Sequence, residues 1–270
     1  HFDSASHYLQ KARELSQKSN DQTTLALTYN RIGNTCQLQG EFDKALENYQ
    51  KALEINREVD NQEEVARSLT NIGSVYRTFG KYDDAIQFHL EALSIYEKTN
   101  TSEGIAWVSL NISRLFKLNE DYTKALEYLQ QALDIYQTIA REQGVETGVT
   151  LCLKEYSLIY SQSGKPAKAL EYSHKVLERN QESGNQYGIA NTYFTMGKIY
   201  LNTRDSKKSL EYLHKALDMK RHLEDQVEIP SILRLIGENH MQRAHRDQAL
   251  SYFRNALKQA RAQNQREEIK

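Results

Sequence analysis

Apolar residues recur along this chain three and four apart, in alternating segments that each predict one amphipathic helix. Two kinds of segment take turns. The first kind sets large side chains around a small one: Tyr29, Ile32, Gly33 and Cys36; Leu69, Ile72, Gly73 and Tyr76; Ile112, Ser113 and Phe116. The pattern continues with Leu153, Tyr156, Ser157 and Tyr160; Tyr193, Met196, Gly197 and Tyr200; Leu233, Ile236, Gly237 and His240. The second kind carries a pair seven apart, usually alanines: Ala45 and Ala52, Ala85 and Ala92, Ala125 and Ala132, Ala169 and Val176, Ser209 and Ala216, Ala249 and Ala256. Small residues on both partners let two helices approach closely as an antiparallel hairpin. No segment shows the strict alternation of a strand.

Anchored on Ala5, Ala45, Ala85, Ala125, Ala169, Ser209 and Ala249, the stride is 40, 40, 40, 44, 40 and 40. A repeat of that length predicts an all-α solenoid in which each unit packs on its neighbours. The expected organisation is one array over 1–270: a half repeat at 1–20, then repeats near 21–60, 61–100, 101–143, 144–184, 185–224 and 225–265. His1 and Phe2 fall just before a second-type helix, and Gln265–Lys270 aligns with the start of a first one. Both ends therefore read as cut from a longer array. The step of 44 allows two outcomes, because four residues are close to one helical turn while Gly144 and Gly148 suit a wider loop. Gly40, Gly80 and Gly164 stop first helices; Glu120, Arg204 and Ala244 stand in their place elsewhere and predict tighter or less regular turns. Pro166 and Pro230 fall in first turns, where a missing N–H costs little.

Leu69-Ile72-Gly73-Tyr76-Ala85, Tyr29-Ile32-Gly33 with Ala45-Tyr49, and Leu233-Ile236-Gly237 with Ala249-Phe253 resemble the tetratricopeptide repeat. The period exceeds the family's 34 and no proline closes the second helix. Those departures resemble the long-helix subclass of kinesin light chains, spindle-orientation G-protein-modulator adaptors and bacterial signalling proteins. The resemblance implies a right-handed α-solenoid whose first helices line a concave, peptide-binding groove.

Charge and chemistry narrow the function. Lys plus Arg number 35 against 36 Asp plus Glu, so the chain as a whole offers no field for nucleic acid or an anionic membrane. No apolar run is long enough to span a bilayer, so no membrane insertion is expected. Cys36 and Cys152, three repeats apart, predict unbridged thiols and a cytoplasmic setting. The eight histidines form no HExxH or i, i+4 pair, and no phosphate loop or nucleophile motif occurs. The expectation is a protein with no catalytic residues, no metal and no cofactor. His174 and His214 take equivalent positions on second helices and read as surface imidazoles. Tyr8, Tyr128, Tyr172, Tyr212 and Tyr252, with Phe88, share another position and predict packing between repeats.

Carrying the family's groove positions onto the six first helices places Arg31, Arg67, Arg77, Arg114, Lys117, Lys154, Lys198 and Arg234 on the inner face, against Glu155 and Glu238 only. Asn30, Asn34, Asn71 and Asn111 add side-chain amides that both donate and accept. Trp107, the sole tryptophan, either anchors an apolar ligand side chain or packs between repeats. Asn34 and Asn71 match asparagines that chaperone-binding relatives use to hold a terminal carboxylate. Asn30, Trp107 and Asn111 stand where those relatives have basic residues, so a chaperone-tail clamp is not expected. The leading function is a scaffold or adaptor that binds an acidic peptide or protein segment, with self-association through the ends of the array. The alternative is the regulatory or sensor segment of a larger signalling protein, such as a kinase, cyclase or transcription regulator.

Overall fold

A computed structural model describes the backbone of residues 2–268 and the side chains of residues 8–263, so Ala5 and Gln265–Lys270 lie outside the side chains described. Thirteen helices and no strand occur among the described residues. They are α1 (Phe2–Ser19), α2 (Gln22–Leu38), α3 (Phe42–Glu58), α4 (Gln62–Thr78), α5 (Tyr82–Lys98), α6 (Ser102–Leu118) and α7 (Tyr122–Gln143). The series continues with α8 (Thr147–Gln162), α9 (Pro166–Glu182), α10 (Gln186–Asn202), α11 (Ser206–His222), α12 (Ile229–Gln242) and α13 (Arg246–Glu268). Two compact units, His1–Cys152 and Leu153–Lys270, meet within α8. Each is described by itself.

Most linkers are built alike. Asn20, Gly40, Asp60, Gly80, Asn100, Glu120 and Gly144 end helices of the first unit with positive φ, as do Gly164, Gly184, Arg204, Glu224 and Ala244 in the second. Residues on either side of the turn then close two backbone bonds onto the helix end. At Gly80 they are Gly80 N–H to Arg77 O at 3.1 Å and Lys81 N–H to Tyr76 O at 3.0 Å. At Ala244 they are Ala244 N–H to Met241 O at 3.0 Å and His245 N–H to His240 O at 2.8 Å. The turns at Glu120, Arg204 and Ala244 are thus neither tighter nor less regular than the glycine turns; the side chain tolerates the strain. The side chains of Asp21, Asn61, Asp121, Asn185 and Asp205 then accept an N–H in the first turn of the next helix.

Within a pair, the small residue of the first helix receives a side chain of the second. A Cβ at Gly33 would stand 2.5 Å from the Tyr49 ring, and one at Gly73 3.0 Å from His89 Nε2. Ser113 and Ser157 use the contact differently: Ser113 Oγ donates to Ala125 O at 2.7 Å and Ser157 Oγ lies 2.7 Å from Ser173 Oγ. The rings of the aromatic ladder lie mainly against rings of their own pair. Phe88 lies on Tyr76, Tyr128 on Phe116, Tyr172 on Tyr156 and Tyr160, and Tyr212 on Tyr200.

Successive pairs are keyed at one junction. A side chain in the C-terminal half of α5, α7, α9 and α11 meets a residue at the start of the next helix, and the two partners are matched. Tyr96 fills the space over Gly104, Tyr136 that over Gly148 and Asn180 that over Gly188. Lys220 faces Glu228 instead, its Nζ 2.6 Å from Glu228 Oε2 and 2.7 Å from Asp225 Oδ2.

The irregular step of 44 is settled in favour of the helix. α7 has 22 residues where α3, α5, α9 and α11 have 17, and only residues 144–146 separate it from α8. Gly144 is the left-handed stop and Gly148 already lies inside α8. Pro230 lies in the first turn of α12, as punctuation, and α12 has 14 residues where α10 has 17.

Candidate functional site

The exposed face of the first helices follows from their burial pattern. Counting from the small residue, positions two before and one, four and five after it stay open to solvent or half-open in α2, α4 and α6, as does the position six before it. These are spacings of one helical stripe. In the first unit the stripe carries Arg31, Arg67, Arg77, Arg114 and Lys117 and no carboxylate. Between them lie Asn34, Asn71 and Asn111, with Leu27, Leu38, Trp107 and Leu118 as exposed apolar side chains. Trp107 is 45% exposed, so part of its ring is open to solvent.

Local contacts hold several of these groups. Arg114 Nη1 donates to Asn111 Oδ1 at 3.5 Å, and Arg67 is paired with Glu64 at the start of its own helix. The Tyr49 hydroxyl, reaching past Gly33, donates to Asn34 Oδ1 at 2.7 Å, with Gln37 Oε1 2.9 Å away. Burial pushes the Tyr49 phenol well above its ordinary range. One turn of the array further on, His89 takes the place of Tyr49 and is buried beneath Gly73 with Nδ1 unpartnered. Burial, with the Arg77 charge adding to it, lowers its pKa to about 4. A neutral imidazole therefore underlies the basic stripe at neutral pH.

Asn30 requires correction. It is 3% exposed and its amide donates to Ser68 Oγ at 3.1 Å, on the neighbouring first helix. In α2, α4 and α6 the position three before the small residue is Asn30, Thr70 and Leu110, all buried, so it forms the seam between first helices and not the open face. In α8 and α12 that seam shifts by one residue. There Glu155 and Leu235 are buried and Lys154 and Arg234 are exposed. Spacing alone cannot register a one-residue shift, because both positions flank the same stripe.

The second unit's face is more mixed. Lys198 Nζ lies 5.5 Å from the Phe194 ring centroid, Arg234 is paired with Glu238, and Met241 is exposed. The basic excess is thus a property of the first unit. Among the described residues no group of three or more His, Cys, Asp or Glu side chains is placed to hold a metal ion. No helix there is long and apolar enough to cross a membrane, and Cys36 and Cys152 are free and buried.

Comparison with known proteins bears on this arrangement. A family model described as tetratricopeptide repeat matches residues 1–58, 24–98, 64–138 and 149–222, and one described as anaphase-promoting complex subunit 5 matches 193–270. No curated protein matches. Among solved structures, the apo form of RapI is similar with a TM-score of 0.77 and 16% identity, over 98% of this chain and 93% of that one. BtubC (BKLC) from P. vanneervenii is similar with a TM-score of 0.70 and 21% identity, over 83% of this chain and 91% of the other. A Rap protein in complex with competence and sporulation factor gives 0.64 and 17%, over 89% and 75%. At these identities the likeness is one of fold.

Proposed function

Because the chain belongs to the tetratricopeptide repeat family, we propose that it is a non-catalytic scaffold which binds an acidic peptide or protein segment on the first-helix face of residues 1–152. One observation carries the reading. Arg31, Arg67, Arg77, Arg114 and Lys117 share that face and no carboxylate takes a stripe position there, Glu64 reaching only Arg67 from the start of α4, in a chain whose charges balance overall. Cations gathered on one surface attract anions, and several arginines can hold carboxylates through two parallel hydrogen bonds each. Trp107, Leu38 and Leu118 supply apolar contact beside the charges, so the preferred ligand alternates acidic side chains with large apolar ones. Asn71 adds an amide suited to a peptide backbone. Lys154, Lys198 and Arg234 extend the reading to the second unit, where Glu238 weakens it. The two buried thiols fit a reducing, cytoplasmic compartment.

The test is affinity for an acidic peptide against its Asn/Gln counterpart over a salt series, with Trp107 fluorescence as the signal. The reading requires tighter binding of the acidic form, weakening as salt rises, and a change in Trp107 emission. Equal affinities with no salt dependence overturn it. A sensor role within a larger signalling protein is the second reading, supported by the likeness to a Rap protein solved with competence and sporulation factor. In that case ligand binding would alter the activity of a linked domain.

A further inference from the structure

One position breaks the aromatic pattern of the first helices in a way that bears on protons. Three residues beyond the small residue, α4, α6, α8 and α10 carry Tyr76, Phe116, Tyr160 and Tyr200, each lying on a ring of its own second helix. In α12 that position is His240, stacked on Tyr252 of α13 with centroids 5.3 Å apart and planes 11° from parallel. It is the one member of this series of stacked rings that gains a charge near neutral pH.

Basic groups surround it. The His245 ring, at the start of α13, lies 6.0 Å away, and His214 of α11 meets Tyr252 edge-on at 6.4 Å. Arg243 closes the set from the end of α12, and Gln248 of α13 hydrogen-bonds the His240 ring. The charged groups that act on His240 are thus His245, Arg243 and His214, with no carboxylate among them. Its Nδ1 is buried without a hydrogen-bond partner. A proton added there has no acceptor and feels the Arg243 guanidinium.

We propose that the α12–α13 hairpin is a proton-operated end of the second unit: protonation of His240 releases α13 from α12 while α9 to α11 stay folded. Burial and then the neighbouring basic groups hold the His240 pKa below the ordinary histidine value. The hairpin is therefore fully stable above the unfolded value, about 6.5, and loosens as pH falls below it. The stacked phenol of Tyr252 offsets part of this through its ring face, which makes the change a loosening and not a general collapse.

Hydrogen exchange read by mass spectrometry on the whole chain, at about pH 7.5 and pH 6 and corrected for intrinsic rates, tests this. In the wild type, peptides from α13 should exchange faster at the lower pH, by up to about fourfold, the limit one histidine sets between these two pH values, with α10 unchanged. His240→Tyr, which restores the ring found in α4, α8 and α10, should abolish the acceleration. If that variant has less helix at the higher pH, His240→Phe gives the same comparison with the ring of α6. No acceleration in the wild type, the same acceleration in the variants, or equal loosening of α10 overturns the proposal.

Discussion

Tyr49 and His89 occupy one position in successive second helices, yet the first reaches a hydrogen bond at the surface and the second ends in an unpartnered nitrogen. The consequence is a stability that depends on pH. His89 stays neutral when folded, to about pH 4, and titrates near 6.5 when unfolded, so its contribution is intact above 6.5 and falls away between those values. The full shift corresponds to about 3 kcal/mol. His89→Leu, with the side chain that Leu129 and Leu213 carry at this position, should remove the acid-sensitive part of the first unit's stability. Denaturant midpoints near pH 7.5 and pH 5 measure it; an unchanged acid slope contradicts the assignment. Ala244 offers a second residue-level prediction, since its φ of 60° strains an alanine and not a glycine. Ala244→Gly should stabilise the second unit by about 0.5 to 1 kcal/mol, read as a higher midpoint. The sequence marks Ala244 as a turn by its place in the stride, but only the backbone shows that it takes the geometry of Gly80.

At the scale of elements, the helices were legible because their stripes repeat six times over, and the turns because each needs a left-handed residue. The length of α7 was not legible, because four added residues fit a helical turn or a loop equally well until Gly144 is seen to stop the helix and Gly148 to lie under Tyr136. The junction pairing was written in the sequence but hidden by chemistry, since Tyr over Gly and Lys against Glu solve one geometric problem with different residues. A Cβ at Gly104 would stand 2.5 Å from the Tyr96 ring, so Gly104→Ala should cost about 1 to 2 kcal/mol despite alanine's better helix propensity. Tyr96→Ala in the same chain should erase that specific penalty; additive losses in the double variant argue against the pairing. Lys220→Ala, which leaves Asp225 and Glu228 without their cation but still reached by solvent, should cost the second unit about 1 to 2 kcal/mol. An unchanged denaturant midpoint would contradict that role for the triad.

Over the whole molecule, charge is balanced in number and uneven in place. The stripe on α2, α4 and α6 is basic, and the carboxylates of the first unit lie elsewhere, many on the second helices, where Glu47 pairs with Lys51 and Glu91 with Arg57. Most of the candidate site could be read from the sequence, because an exposed stripe on a first helix is periodic. Asn30 could not, because a residue at the edge of a stripe is buried or open according to how closely the next first helix approaches. The proposed ligand sets acidic side chains against Arg77, Arg114 and Lys117, and an apolar one against Trp107. The most direct measurement is a charge exchange. Binding of an acidic peptide should be lost in Arg77→Glu/Arg114→Glu with helicity retained, and a peptide with lysines at the same places should then bind the variant more tightly than the wild type. An acidic peptide that binds both chains alike, or a lysine peptide that does not distinguish them, would contradict the account.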